Sequence, residues 1–327
     1  MEFRNLGQNG QTVSALGVGC MGMGGAHGPF DQDEAVATVR RALELGITLL
    51  DTADFYGPGT SEQIVARGIA GRRDDAVLCS KTGMRRGPKG PYVDGSPEYL
   101  GQAVDASLQR LGTDYLDLYY LARVDPEVPI EDSVGALAEL VRAGKVRQLG
   151  LCEVSSTTLR RAHAVHPIAA VQTEYSLWER HVEDKLLPAT RELGTTLVAY
   201  RPLGNGFLTG TMPAPSEMGE TDLRRGDPRI QEENVAHNRA LLARLEGLAA
   251  AKGAGASQLA LAWVLAQGKD VVPIPGTRKR THLEQNAAAV DIELTADELS
   301  ELSTVFAPGA TAGDRYPAFL MKTIDRD

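Results

Sequence analysis

Short apolar runs with the composition of β-strands alternate with amphipathic helix patterns from residue 16 to about residue 290. Eight runs are strand candidates, at residues 16–19, 48–51, 77–81, 116–121, 146–151, 169–174, 196–200 and 271–273. Strands separated by helices pair in parallel, and eight of them close into a (β/α)8 TIM barrel. A length of 327 residues suggests two domains by average size, but a barrel accommodates it as one. We therefore expect residues 1–327 to form a single α/β barrel domain.

Helix-capping residues support this interpretation. Asp31 is an N-cap candidate with Glu34 three residues later, and Gly46 stands where the helix should end. Thr295 and Glu298 have the same spacing after the last predicted strand. They predict extra C-terminal helices beyond the barrel.

Two segments interrupt the alternation, at residues 82–95 and 204–230. Both are rich in Gly and Pro, and both follow the C-terminal end of a predicted strand. Barrels keep their catalytic residues at that end, and long loops in compact domains commonly cover a site. We predict that both segments are loops and that they determine substrate specificity together with the tail, residues 308–327.

The charge balance excludes several partners. The chain has 34 Lys and Arg against 43 Asp and Glu, a formal net charge of −9, which disfavours nucleic acids and anionic membranes. No apolar run approaches the roughly 20 residues of a membrane span, and the first residues have no signal-peptide pattern. The three cysteines lack zinc-ligand spacing. We expect a reduced, cytoplasmic protein without a metal; the sequence does not indicate an oligomeric state.

Residues 17–22, GVGCMG, satisfy the G-x-G-x-x-G pattern of dinucleotide-binding Rossmann folds. In that fold the motif opens a helix directly, so that the pyrophosphate meets the helix N-terminus. Here the chain continues through further glycines, and no helix can begin before about Asp31. We therefore reject the Rossmann interpretation and predict a glycine-rich loop that closes on a flat surface.

Three ionisable residues, Asp51, Tyr56 and Lys81, lie at the ends of the second and third predicted strands. A tyrosine acts as a general acid near neutral pH only if its pKa, about 10 when free, is lowered, and an adjacent ammonium would do this. A carboxylate such as Asp51 would keep that ammonium charged. The alternative is a structural Asp51–Lys81 ion pair beside a packing aromatic, and the spacing alone leaves both open.

Several long motifs resemble those of the aldo-keto reductases, most of all the bacterial and plant branch with a GCMG start and an IPGT ending. They occur in the expected order at residues 50–57 (LDTADFYG), 80–82 (SKT), 117–121 (DLYYL), 172–176 (QTEYS) and 274–278 (IPGTR). The resemblance covers nearly the whole chain. It implies a barrel with an N-terminal β-hairpin, here residues 2–14. It also implies that NADPH binds extended across the C-terminal strand ends.

The resemblance further implies a catalytic tetrad of Asp, Tyr, Lys and His, and Asp51, Tyr56 and Lys81 match the first three. The fourth should follow the fourth strand, where the family reads LHRVDP and this chain reads LARVDP at residues 121–126. Ala122 therefore stands at the histidine position. This fits either a deliberate inactivation or a natural divergence. His27, in the glycine-rich loop, could approach the substrate instead, or be solvated.

The cofactor contacts implied by the resemblance come from Cys20, Met21, Cys152, Gln172, Tyr200, Arg201, Leu203, Gly204, Gly276, Thr277, Arg278, His282, Gln285 and Asn286. Tyr200 matches the aromatic that stacks on the nicotinamide, and Gln172 matches the amide that binds its carboxamide. Arg278 matches the 2′-phosphate pocket, which favours NADPH over NADH because a guanidinium offers paired donors to a phosphate. Cys152, Arg201, Asn205 and Gln285 depart from the family pattern.

The activity implied is NADPH-dependent reduction of an aldehyde or ketone, a small-molecule carbonyl, to an alcohol, impaired by the loss of the histidine. Two alternatives remain open at this point. One is a non-redox elimination or rearrangement that uses Tyr56 and Lys81 as acid and base. The other is a non-enzymatic sensor that binds NADPH.

Overall fold

A computed structural model describes residues 1–8, 10–88 and 90–327. The chain opens with an antiparallel hairpin of β1 (Phe3–Asn5) and β2 (Thr12–Ser14), in which Arg4 lies opposite Val13. The guanidinium of Arg4 donates to the carbonyl oxygens of Leu265 and Gly268, at 3.0 and 2.9 Å. The hairpin predicted for residues 2–14 is therefore present and is fixed to the barrel wall.

Within the described residues, eight parallel strands form the central sheet: β3 (Val18–Gly19), β4 (Leu49–Asp51), β5 (Val77–Thr82), β8 (Leu116–Leu121), β9 (Val146–Cys152), β10 (Ile168–Glu174), β11 (Thr196–Tyr200) and β12 (Val271–Pro273). Their order in the sheet is β12-β11-β10-β9-β8-β5-β4-β3. The N–H groups of Gly17 and Gly19 donate to the carbonyl oxygens of Pro273 and Pro275, at 2.9 and 3.2 Å. These hydrogen bonds link β3 and the residue before it to the end of β12 and the residues that follow, and they close the sheet. The predicted (β/α)8 barrel is confirmed.

Helices surround the sheet: α1 (Gln32–Glu44), α2 (Thr60–Ile69), α3 (Pro97–Leu111), α4 (Ile130–Arg142), α5 (Ser156–Val165), α6 (Leu186–Leu193), α7 (Glu232–Ala251), α8 (Ala256–Leu265), α9 (Arg280–Ala287), α10 (Ala296–Val305) and α11 (Ala318–Met321). Asp31 caps α1 by accepting from the N–H groups of Asp33 and Glu34, at 2.9 and 3.2 Å. Thr295 and Glu298 form the expected capping box at α10. The helices following β12 agree with the predicted C-terminal extension.

The segment at residues 82–95 corrects a sequence prediction. It is not a plain loop, because Met84–Gly87 (β6) and Gly90–Val93 (β7) pair as an antiparallel hairpin. Arg85 lies opposite Tyr92, with its guanidinium 5.5 Å from the ring centroid, and donates to Asp94 at 2.6 Å. Such cross-strand pairs stabilise a two-stranded ribbon. The Gly and Pro content of the segment, taken alone, had indicated a turn or loop.

Residues 204–230 form a loop with four short 3-10 helices, Gly204–Thr209, Pro215–Glu217, Leu223–Gly226 and Pro228–Ile230. Within the described ranges no single helix is long and apolar enough to cross a membrane; α7 and α8 pass that test only as a pair bent by 89°.

Candidate active site

The C-terminal ends of β4 and β5 bring two charged residues together. Asp51, the last residue of β4, accepts through Oδ1 from Lys81 Nζ at 2.5 Å, and both side chains are buried. Lys81 also donates to the carbonyl oxygen of Thr52 at 2.8 Å. Its ammonium lies 5.0 Å from the centroid of the Tyr56 ring. The structure thus places the first three predicted catalytic residues side by side.

Electrostatics in this cluster differ from the sequence prediction at one point. Burial alone would lower the pKa of Lys81, but the Asp51 carboxylate raises it above its ordinary value, so the ammonium stays charged. Burial raises the pKa of Tyr56 to about 12, and Lys81 offsets only part of this shift. The expectation of a lowered tyrosine pKa was wrong, because desolvation outweighs the attraction of one ammonium. Tyr56 is therefore a protonated phenol at neutral pH.

The glycine-rich loop packs on the turn that carries Tyr56. A Cβ atom on Gly24 would lie 2.5 Å from the carbonyl carbon of Tyr56, and one on Gly57 would collide with Gly24. Gly57 also has a positive φ of 59°. Only glycine on both sides allows this close approach, which fixes the position of Tyr56.

Ala122 directly follows β8, beside β5. Its N–H donates to the carbonyl oxygen of Thr82 at 2.8 Å, and the residue is 2% exposed. His27 lies elsewhere, in a backbone bridge with Asp222 and with its carbonyl oxygen accepting from Arg278 at 3.1 Å. Burial lowers the pKa of His27 to about 4, so its imidazole is neutral. The suggestion that His27 replaces the missing histidine receives no support from this placement.

The residues predicted to contact the nicotinamide have partners within the protein. Gln172 donates through Nε2 to Asp51 Oδ2 at 2.8 Å, so it holds the carboxylate oxygen that Lys81 leaves free. The hydroxyl of Tyr200 donates to Glu153 Oε1 at 2.7 Å and is hydrogen-bonded to the hydroxyl of Tyr316. Neither contact could be inferred from the chain order.

A buried ion-pair network covers this side of the barrel mouth. Arg315 donates to Glu153 Oε1 at 2.8 Å and to Glu174 Oε2 at 3.2 Å. Arg229 is paired with Glu174 at 3.5 Å and with Glu179. The tail predicted to shape specificity therefore reaches the site through Arg315 and Tyr316, which the sequence analysis did not single out.

The turn after β11 carries two other predicted cofactor residues. Arg201 has a positive φ of 49° and lies 3.8 Å from Glu174, with its guanidinium 4.4 Å from the Tyr316 ring centroid. Its nearest anion among the described residues is thus a protein carboxylate, at a position where the resemblance implies a cofactor contact. Gly204 has φ 54°, and a Cβ atom there would collide with the Trp178 ring. Leu203, which precedes it, is buried.

The three cysteines are free and buried. Burial raises the pKa of Cys20 and of Cys152 to about 12, so both are thiols at neutral pH. Met21 begins a short 3-10 helix directly after Cys20.

Most of the chain matches a known protein family. Residues 15–306 match the Aldo/keto reductase family. The chain belongs to the aldo-keto reductase family. A protein from Glycine max named "Probable aldo-keto reductase 1" is 44% identical over 314 residues, covering 95% of this chain and 90% of the relative. The chain is therefore an oxidoreductase of a family that acts on small-molecule carbonyls.

Solved structures of the family agree. A glycerol dehydrogenase from Gluconobacter oxydans superimposes with a TM-score of 0.84 at 30% identity, covering 93% of this chain and 94% of that one. An aldo-keto reductase from Klebsiella pneumoniae in complex with NADP and acetate has a TM-score of 0.75 at 29% identity, covering 97% and 99% of the two chains. The sequence-based family assignment is confirmed, and NADP in that relative agrees with the expected cofactor.

In this aldo-keto reductase the residues expected at the adenosine end follow β12. Arg278 donates to the carbonyl oxygens of Gly28 at 2.8 Å and of His27 at 3.1 Å, so it anchors the glycine-rich loop. Thr277 and Asn286 are buried, whereas His282 and Gln285 are exposed on α9. Gly276 bridges Gly19, which places this end of the predicted groove beside the loop.

Proposed function

We propose that this enzyme reduces aldehydes or ketones to alcohols with NADPH. The observation that carries the proposal is the buried Asp51–Lys81 pair, 2.5 Å apart, with the ammonium 5.0 Å from the Tyr56 ring. This arrangement supplies a proton donor and a fixed charge at the barrel end where such enzymes carry out their chemistry.

The three residues divide the work. NADPH, when bound, supplies a hydride to the carbonyl carbon. The hydroxyl of Tyr56 donates its proton to the substrate oxygen, and Lys81 stabilises the phenolate that remains. Asp51, held by Gln172, keeps Lys81 charged. Burial keeps Tyr56 a protonated phenol at neutral pH, and the Lys81 ammonium lowers the cost of giving up that proton.

The adenosine end fits NADPH by the chemistry of its donors. Arg278 is half-buried, and no carboxylate lies within 4 Å of its guanidinium in residues 1–8, 10–88 and 90–327. The Nε2 atom of His27, whose carbonyl oxygen accepts from Arg278, is buried and lacks a hydrogen-bond partner within the same ranges. A phosphate would bind this guanidinium more strongly than the neutral carbonyl oxygens do, because it carries the opposite charge. Arg278, with Thr277 beside it, would hold the 2′-phosphate.

Replacing Arg278 by Ala is expected to weaken NADPH binding by about 1.5–3 kcal/mol, the range for hydrogen bonds to charged groups. NADH has no 2′-phosphate, so its affinity should change much less. Titration of protein fluorescence with both cofactors measures the two values. Because Arg278 also anchors the loop, the ratio of the affinities is the informative quantity. An equal loss for NADPH and NADH would assign Arg278 to the loop alone.

Absence of the histidine at position 122 favours one alternative, a non-redox elimination or rearrangement. Both functions are tested by incubating the enzyme with NADPH and a panel of aldehydes and ketones while NADPH absorbance and products are followed. We expect alcohol formation matched by an equal loss of NADPH. Product formation without net NADPH loss would identify the non-redox activity, and cofactor binding without any product would indicate the sensor.

A further inference from the structure

One arginine at the barrel mouth, Arg123, has no carboxylate within 4 Å among the described residues. Arg123 follows Ala122 at the end of β8, and its Nη1 donates to the carbonyl oxygen of Ala122 at 2.7 Å. Its Nε atom is buried and has no hydrogen-bond partner in the part of the chain that the structure describes. Within that part, no carboxylate oxygen comes within 4 Å of the Arg123 guanidinium. The side chain is thus a cation with unused donors.

Three carboxylates and three other guanidiniums near the mouth are paired with one another. Glu153 lies within 4 Å of the guanidinium of Arg315, and Glu179 within 4 Å of that of Arg229. Glu174 lies within 4 Å of the guanidiniums of Arg201, Arg229 and Arg315. Glu153 is the carboxylate that acts on Arg123 from beyond that distance, but its Oε1 already accepts from Tyr200 and Arg315. Arg123 therefore has no close carboxylate partner of its own in the described residues.

In the strand order, β8, whose end precedes Arg123, lies four strands from β12, which precedes the residues of the adenosine end. Burial would lower the pKa of Arg123, but the hydroxyls of Tyr200 and Tyr316, with Glu153 and Cys152, raise it. These groups belong to the ends of β9 and β11 and to the tail. The small side chain of Ala122, next along the chain, leaves the neighbouring position without an imidazole. A guanidinium with an unused donor thus stands next to a position that lacks a large side chain.

We propose that Arg123 is a specificity-determining residue that binds a carboxylate carried by the substrate, so that this enzyme prefers carbonyl compounds with an anionic substituent. A guanidinium presents paired donors that match a carboxylate, and a partly buried cation gains most from an anion that fills its empty donors. The carboxylate takes no part in the reaction: hydride still goes to the carbonyl carbon and the Tyr56 proton to the oxygen. The inference rests on the proposed function and adds the class of substrate.

The first test compares two aldehydes of similar shape, para-carboxybenzaldehyde and its methyl ester. We expect the wild-type enzyme to show a kcat/KM for the acid at least about tenfold above that for the ester. In Arg123→Gln the preference should disappear through a higher KM for the acid, with the ester unaffected. Arg123→Lys, which keeps the charge but not the paired donors, should retain part of it.

The matched control is Arg239→Gln, which removes the same charge from an exposed position on α7. It should leave the ratio between acid and ester unchanged, which separates local recognition from long-range attraction. Equal kcat/KM for acid and ester in the wild-type enzyme would overturn the inference, as would an unchanged ratio in Arg123→Gln.

A second measurement does not depend on turnover. Calorimetric titration with benzoate and with benzamide, in the presence of NADP⁺, should show benzoate binding weakened at least about tenfold in Arg123→Gln, with benzamide unaffected. If the enzyme reduces neither aldehyde but benzoate binding responds in this way, the proposed function fails and the anion site stands. Should Arg123→Gln not fold, equal wild-type affinities for benzoate and benzamide would still refute the site.

Discussion

Replacing Tyr56 by Phe is expected to lower kcat/KM for aldehyde reduction by about 10²–10⁴-fold, the usual contribution of a positioned proton donor. Two of the hydrogen bonds of Lys81 are already made, to Asp51 and to the Thr52 carbonyl oxygen, so the ammonium is poorly placed to act as the acid instead. The variant keeps the ring, and with it the packing against Phe55 at 5.0 Å. NADPH oxidation under steady-state conditions measures the loss, and cofactor affinity should not change.

Tyr99→Phe is the matched control. Its hydroxyl lies at the same end of the barrel, 3.3 Å from Thr82 Oγ1 and 3.5 Å from Asp54 Oδ2, but not beside Lys81. Loss of that hydroxyl should leave kcat/KM close to the wild-type value. If the two variants behaved alike, Tyr56 would be a packing aromatic and the Asp51–Lys81 pair a structural ion pair.

The sequence predicts the barrel, and with it the approach of Asp51, Lys81 and Ala122, for a physical reason. In a closed parallel sheet every strand ends at the same rim, so residues that follow different strands must approach one another. Asp51, Lys81 and Ala122 each lie at or next to the end of their strand, and the structure brings them to one mouth. Strand order and spacing indicated Asp51 and Lys81, and the family resemblance added Ala122.

Other features depend on contacts that no local pattern records. Arg315 and Glu153 are 162 residues apart, and nothing near either one indicates their pairing. The hydrogen bond between Gln172 and Asp51 likewise follows from the closed barrel and not from a motif. The pKa of Tyr56 depends on how fully the folded chain removes water, which spacing cannot give. Sequence reasoning therefore proposed Tyr56 as the acid but could not give the effect of burial on its pKa.

The second large effect on the rate of reduction is expected at Ala122. It is buried at the end of β8, where the family places a histidine that donates to the substrate oxygen. Loss of one preorganised donor typically costs about 10²–10³ in rate, roughly 2.7–4 kcal/mol. Because Tyr56 and its partners are intact, reduction by the wild-type chain should be slow but measurable.

Ala122→His is therefore expected to raise kcat for simple aldehydes by at least about tenfold with little change in NADPH affinity. The imidazole would act on the developing charge of the carbonyl oxygen and not on the bound cofactor, so the gain should be in kcat. Single-turnover and steady-state NADPH oxidation measure it, and fluorescence titration measures the affinity.

Ala122→Leu is the control, because it adds volume at the same buried position without a donor. A gain in the His variant alone would show that the histidine N–H restores a missing interaction. If the His variant reduced carbonyls no better, or lost an activity that the alanine form has, the alanine would belong to a repurposed site. In that case Tyr56 and Lys81 would serve as an acid and base in a reaction that leaves NADPH unconsumed. Hydride addition places negative charge on the carbonyl oxygen, so a reduction needs a donor to that oxygen more than a non-redox reaction does.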